Sequence, residues 1–459
     1  NLACLYQEKL NMEDKAFDCA RRARSMAPRD SRIADTLGWI LFQRGEYKWA
    51  LTLLRESEEQ LGGEPEVLHH LGMCYAALGD TENARAYLSR AVELAKTFPG
   101  SVEATGMLSA LTAGEDLKEL TTAGQVESFL AAHPDNPYAL VKGGAFYERA
   151  GEYERAGALY EKALARNKHF VPALIRLANL WADPLKQIDR GLAYARQARE
   201  EAPESAQVTD MLASIVFRKG DYKWAQSLVL ESISRAGATP ERQYVLGTLL
   251  YALGRIDAAT NLLAKVAASS PSGSPVVAAK QFMERVRSPE LAISRISAAD
   301  ITNPLTVADL PVLMYRAGTY EQKSETHQAQ SLYEQAVAQY PDFSPAYRRL
   351  ALSYNGQKTL SERDYKVLKK ARELLPDDPD VGCILGKEAY LRGQYDWAAR
   401  LLQESTVNFP ERAEVYYYLG MSYHQLKNKP QAQKALGRAI ELDPRSGLAT
   451  AAQELLRQM

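Results

Sequence analysis

The 459-residue sequence predicts an all-α solenoid, a stack of about eleven helical hairpins. Three observations carry this expectation. One pattern of small and large apolar residues recurs about every 34 residues. Glycines and prolines punctuate it at fixed places, where helices stop. The composition suits helix: 46% hydrophobic and 25% charged residues, rich in Ala, Leu, Glu and Arg.

Each copy reads as two short amphipathic helices joined by a tight turn. Leu71-Gly72, Tyr75, Gly79-Asp80, Ala84, Leu88 and Ala91 make one copy. Leu246-Gly247, Leu250, Gly254, Ala259, Leu263, Val266 and Pro271 make a second, and Leu419-Gly420, Tyr423, Ala432, Leu436, Ala439 and Pro444 a third. The small residues let the paired helices approach closely while Leu, Tyr and Phe fill the gaps between hairpins. Gly45, Gly79, Gly220, Gly254 and Gly393 end first helices, where a left-handed residue costs least without a side chain. Pro28, Pro203, Pro341, Pro376, Pro410 and Pro444 stop second helices. One hairpin cannot bury its own apolar face, so stacking is obligatory.

This pattern resembles the tetratricopeptide repeat family over roughly 80% of the chain. Repeats begin near residues 1 (truncated), 31, 65, 137, 171, 206, 240, 310, 344, 379 and 413. The expected layout is repeats over 1–96, an irregular helical insert over 97–136, repeats over 137–271, a second insert over 272–309, repeats over 310–445, and a capping helix over 446–459. The resemblance implies a right-handed superhelix of hairpins. Asn1 to Tyr6 reads as the middle of a first helix, so the chain is expected to begin inside a longer protein.

A longer period overlies the short one. Gly45-Glu46-Tyr47-Lys48-Trp49-Ala50, Gly220-Asp221-Tyr222-Lys223-Trp224-Ala225 and Gly393-Gln394-Tyr395-Asp396-Trp397-Ala398 are near copies, with tryptophans 175 and 173 residues apart. Glu56-Ser57, Glu231-Ser232 and Glu404-Ser405 follow each. The chain is therefore an internal duplication of a four-hairpin block, with the two inserts at equivalent places and helical pieces at Val102 to Ala113 and Pro275 to Val286. The hairpins before each Trp segment carry one extra residue near their internal turn, against which Trp49, Trp224 and Trp397 are expected to pack.

Tetratricopeptide proteins line a concave groove with their first helices and bind extended peptides or partner helices there. Carrying those positions over gives Arg32, Asp35, Trp39, Phe42 and Gln43, then Glu66, His69 and Met73. Later repeats contribute Tyr138, Glu148 and Arg149; Asn179; Asp210, Phe217 and Arg218; Tyr244, Thr248 and Tyr251; Arg348 and Asn355; Lys387 and Tyr390; and Tyr417, Met421 and His424. Aromatic and Arg side chains dominate binding energy at protein interfaces, so the set favours a protein or peptide partner. The alternative for each residue is packing against a neighbouring hairpin. The Lys and Asn set with which chaperone-binding members grip a C-terminal carboxylate is absent from consecutive first helices.

Other functions are poorly supplied. Lys plus Arg is 56 and Asp plus Glu 57, so no positive field draws the chain onto nucleic acid. No run reaches the ~18 apolar residues of a membrane span. Cys4, Cys19, Cys74 and Cys383 form no CxxC pair and read as free, mostly buried thiols. HExxH, GxSxG, Walker and dinucleotide-binding glycine motifs are missing, so no enzyme activity and no cofactor or metal are expected. Adjacent His69 and His70 project about 100° apart and do not converge on a metal. Gly143-Gly144 reads as a close helix contact. The expectation is a non-catalytic interaction scaffold, with the monomer favoured. Ala34-Asp35-Thr36-Leu37-Gly38-Trp39-Ile40 resembles long bacterial tetratricopeptide proteins that accompany exopolysaccharide export or exosortase-type sorting, which favours periplasm or envelope over cytoplasm. Two rivals stand beside this reading: the regulatory or substrate-binding arm of a larger enzyme, and a glycan-binding solenoid.

Overall fold

The computed structural model describes residues 2–8, 10, 12–116, 122–134, 136–269, 273–290, 306–357 and 360–459. Parts of both expected inserts, 117–121, 135, 272 and 291–305, lie outside the described residues, as does Pro271. Among the described residues the elements are 26 α-helices and one short 3-10 turn, with no strand.

Two compact units divide the chain, Asn1–Gly237 and Ala238–Met459. The first pairs α1 (Leu2–Glu8) with α2 (Glu13–Met26), α3 (Ser31–Gln43) with α4 (Tyr47–Leu61), and α5 (Pro65–Leu78) with α6 (Thr81–Leu94). Helices α7 (Ser101–Asp116) and α8 (Ala123–Ala132) follow, then the pairs α9 (Pro137–Arg149) and α10 (Tyr153–Arg166), α11 (Val171–Ala182) and α12 (Ile188–Glu201), α13 (Ala206–Lys219) and α14 (Tyr222–Ala236). The second unit opens with α15 (Pro240–Ala252) and α16 (Ile256–Ala267), then α17 (Ser274–Arg287) and the 3-10 turn Val307–Asp309. It continues with α18 (Leu310–Gln322) and α19 (Thr326–Gln339), α20 (Ser344–Ser353) and α21 (Glu362–Leu374), α22 (Pro379–Leu391) and α23 (Tyr395–Asn408), and α24 (Ala413–Gln425) and α25 (Lys429–Leu442). The last helix, α26 (Gly447–Gln458), packs on α24 and α25.

Local chemistry sets these limits. Asp30, Asn136 and Asp378 accept backbone N–H groups at the starts of α3, α9 and α22. The turn glycines Gly45, Gly79, Gly220, Gly254 and Gly393 have φ between 73° and 89°, whereas Lys186, Ser324 and Lys427 take positive φ in three other turns without glycine. Within each hairpin a small residue on the first helix receives a large one sixteen positions on. A side chain at Gly38, Gly72, Gly247, Gly386 or Gly420 would put its Cβ 2.6–2.8 Å from the side chain of Leu54, Leu88, Leu263, Leu402 or Leu436.

The longer period has a physical content that sequence reading did not reach. Arg24 pairs with Glu56 at 2.5 Å, and Arg199–Glu231 and Arg372–Glu404 repeat that ion pair. Arg44–Asp14 (2.9 Å), Lys219–Asp189 (2.7 Å) and Arg392–Glu362 form a second triplicate. Beside the first set Ser57, Ser232 and Ser405 are buried. The turn between α11 and α12 runs over 183–187, against 44–46 between α3 and α4. Trp49 meets the edge of Phe17 in α2 at 6.1 Å and Trp224 lies under Arg196 of α12 at 5.4 Å, so both flank the second helix of the hairpin before.

Each unit also folds back on itself just beyond its insert. In the first, α5 touches α11 as well as α3 and α7, and ten of its fourteen residues are buried. A Cβ on Gly79 would lie 3.3 Å from Pro172 and 3.6 Å from the Cβ of Val171. The Tyr138 hydroxyl donates to the Ala76 carbonyl, and His169, bonded to Glu201 at 2.7 Å, packs against Gly45. In the second unit a Cβ on Gly254 would lie 3.0 Å from the backbone nitrogen of Ser344, and Tyr251 sits between Phe282 (5.1 Å) and Phe343 (6.0 Å). We call these contacts the two clasps.

Candidate protein-binding site

First-helix side chains converge at one pocket, about 280 Å³ in volume, between α1, α3, α5 and the segment leading into α7. From α3 it takes Asp35, Trp39 and Gln43, from α5 Glu66, His69 and His70, and from α7 Glu103. The Asp30 cap and the Gly38–Leu54 contact fix α3 along its length. Trp39 and Phe42, one turn apart, stack with ring centres at 4.7 Å, and His70 covers the other indole face at 4.1 Å. His70 Nδ1 bonds Asp35 Oδ1 at 2.9 Å, which orients both side chains.

His69 is 1% exposed, and neither ring nitrogen has a hydrogen-bond partner. Its Nε2 lies 3.8 Å from Glu103 Oε2, beyond bonding distance. Gly100, at φ 86°, rests directly on the imidazole, where any side chain would collide. Burial, assisted by His70, pushes the His69 pKa down to about 3, so the ring is neutral at physiological pH. The two imidazoles lie 5.5 Å apart, and no described group of three or more His, Cys, Asp or Glu could hold a metal ion.

The remaining first-helix residues divide sharply. Arg32 and Gln43 are exposed on α3, and Met73 is half-buried against the core. Tyr138, Thr248 and Tyr251 are buried, Tyr138 and Tyr251 in the clasps, so none of the three reaches a ligand. This corrects the expectation for Tyr251: the helix register points it inward, and the fold-back covers it with Phe282 and Phe343. Glu148 accepts from the Tyr160 hydroxyl at 2.6 Å, and Arg149 is exposed. Asn179, Asp210 and Phe217 are half-buried; Phe217 lies against Tyr222 at 5.5 Å, and Arg218 faces Asp183 at 3.5 Å. Tyr244 is half-buried, and burial raises its pKa.

Arg348 bridges Asp378 (2.6 Å) and Asp380 (3.1 Å), Lys387 pairs with Glu414 at 2.6 Å, and Asn355 is exposed. Tyr390 lies 5.6 Å from Tyr418, which Tyr417 meets edge-on at 5.2 Å, with Met421 and His424 half-buried nearby on α24. Sequence reading did not assign His70, Gly100 or Glu103 to a site. The insert that carries Pro99 and Gly100 was legible, but not its target, His69 in α5, which lies 31 residues before Gly100; only the fold brings the two together. Gly143 and Gly144 are close contacts, against Leu130 and Tyr160. Cys74 and Cys383 are buried thiols whose pKa values burial pushes up to about 12 and about 11. A second cleft, about 780 Å³, lies over the first clasp, with Leu51, Tyr75, Leu78 and Ile175 on its floor and Asp80 and Glu82 on its rim.

No described helix is long and apolar enough to cross a membrane. No curated protein sequence matches the chain. Among solved structures it is similar to the P58(IPK) TPR domain, 13% identical over 87% of this chain and 98% of that one, with a TM-score of 0.31. It is also similar to a tetratricopeptide repeat protein from Parabacteroides merdae (16%, 61% and 94%, TM-score 0.30) and to pilF of Pseudomonas aeruginosa (14%, 56% and 96%, TM-score 0.28). Models of the tetratricopeptide repeat match residues 65–98, 123–169, 312–342 and 413–446. Three of these matches cover the hairpins α5–α6, α18–α19 and α24–α25, and the fourth runs from α8 through α10. With repeat matches in both units and eleven hairpins of one design, the chain belongs to the tetratricopeptide repeat family.

Proposed function

We propose that this chain is a non-catalytic protein-interaction scaffold, and that a partner protein or peptide binds the first-helix face of α1, α3 and α5. The observation that carries this reading is the convergence of Asp35, Trp39, Gln43, Glu66 and His69 on one open pocket, while equivalent positions around the clasps are packed away. Repeat arrays offer extended surfaces of this kind, and aromatic residues within them anchor partners. Membership of an envelope assembly rests on the Ala34 to Ile40 resemblance and is tested by fractionating source cells.

Photo-crosslinking tests the surface. A benzoylphenylalanine placed at Gln43, exposed on α3, should capture a defined partner in source cells, while the same group at Glu59, exposed on α4, should not. Capture from Glu59 alone, or from Glu82 at the second cleft alone, would move the binding surface off the first helices.

A further inference from the structure

We propose that the pocket between α3, α5 and α7 receives a single cationic side chain, the guanidinium or ammonium group of an arginine or lysine presented by the bound partner. The proposal deepens, and rests on, the reading of this face as the partner-binding surface.

Charge selects the class of ligand. Asp35, Glu66 and Glu103 all line the pocket, and among the described residues its lining includes no Lys or Arg. An anionic group would face the Asp35 and Glu103 carboxylates, so the site disfavours carboxylates and phosphates. Glu103 is exposed, its side chain 64% accessible and 3.8 Å from the His69 ring.

His69 supplies the independent sign that something polar belongs there. Buried polar groups are nearly always hydrogen-bonded, yet both nitrogens of this fully buried ring are unpartnered while the ring lines the cavity. A neutral imidazole presents one bare nitrogen that only accepts, and a guanidinium or ammonium group only donates. The Glu103 carboxylate beside it accepts further N–H bonds from the same group, in the charge-assisted geometry that makes such bonds short and strong. Asp35, held by His70, places its charge on the α3 wall of the same space.

Size narrows the occupant. A volume of about 280 Å³ is just below the usual range of small-molecule sites, roughly 300–1,000 Å³, and holds one side chain rather than a helix. Both faces of Trp39 are already covered by Phe42 and His70. The indole therefore acts as a wall, and the carboxylates and His69 do the recognising.

The six histidines of the chain make the test direct. The full chain, labelled with 13C at histidine Cε1, is titrated with blocked pentapeptides carrying Arg, Lys, Gln or Glu between glycines, and the His69 signal is assigned through His69→Gln. The Arg or Lys peptide should move that signal saturably, about tenfold more tightly than the Gln peptide, and the Glu peptide should leave it unmoved. The tighter of the two cations names the group. Glu103→Gln should weaken the cation several-fold while the other histidine signals stay in place, which shows that the fold is intact. A His69 signal that moves with none of the peptides, or equally with all four, overturns the proposal and leaves the ring to bound water. A silent titration with crosslinking retained at Gln43 overturns the cation alone. A saturable titration with no crosslink there keeps the cation site and removes the partner surface.

Discussion

The two clasps answer the same geometric problem with different side chains. In the first, small Ala76 leaves space at the α5–α6 turn, and the Tyr138 hydroxyl reaches its carbonyl while the Gly79 turn lies along Val171 and Pro172. In the second, the residue 175 positions after Ala76 is Tyr251, which fills the equivalent space and packs between Phe282 and Phe343. One clasp is closed by a hydrogen bond from Tyr138 and the other by an aromatic plug, while in both a turn glycine lies close against the start of the opposing helix. The lesson is that a duplicated period can keep its contact while exchanging the chemistry that makes it. It also explains why first-helix positions in these places are core.

This contrast can be broken at several points. The largest effect is expected at the plug: Tyr251→Ala should cost about 3–5 kcal/mol, as for other large buried aromatics, and Phe217→Ala on half-buried ground clearly less. Urea unfolding that ranks them the other way would deny Tyr251 its core role. The turn glycines come next. Gly79→Ala should cost about 1–2 kcal/mol for its left-handed φ alone, and Gly254→Ala more, because the added methyl presses on Ser344. Equal losses would mean that the second clasp is no tighter than the first.

The unpartnered His69 makes a pH prediction. Its folded pKa of about 3 lies below the ordinary 6.5, so between those values the unfolded chain binds more protons. Stability is then whole above pH 6.5 and falls by about 1.4 kcal/mol per pH unit as pH drops through that window. His70 and Glu103 face the same ring, and Asp35 is bonded to His70. His69→Gln should flatten the fall between pH 6.5 and 5, measured by urea midpoints, and an unchanged slope would mean that the ring is charged in the folded chain. Smallest, Tyr138→Phe should cost about 1 kcal/mol by removing its hydrogen bond to the Ala76 carbonyl, which keeps the Gly79 N–H as a donor.

Most of the fold was legible because its determinants are local. Gly45, Gly79, Gly220, Gly254 and Gly393 do end first helices, and the prolines at 28, 203, 341, 376, 410 and 444 each fall two residues past a helix. The eleven hairpins follow from one 34-residue pattern that each stretch states for itself. The site was legible only in part. Asp35, Trp39 and His69 were placed on first helices by register, but register cannot show which first helices the fold-back covers, so Tyr251 looked like Trp39. The triplicate ion pairs were equally hidden, since Arg24 and Glu56 are 32 positions apart and charged residues on helix faces usually face water.

The clasp itself is open to one direct measurement. In a chain whose four native cysteines are alanine, Gly79→Cys and Val171→Cys would stand with Cβ atoms 3.6 Å apart, inside the usual disulfide range of about 3.5–4.5 Å. The account predicts that this pair closes to a disulfide under mild oxidation of the folded chain, seen as an intact-mass loss of two hydrogens and a single cross-linked peptide. Two free thiols under the same conditions would contradict it, because residues 92 positions apart meet only if the array folds back beyond its insert.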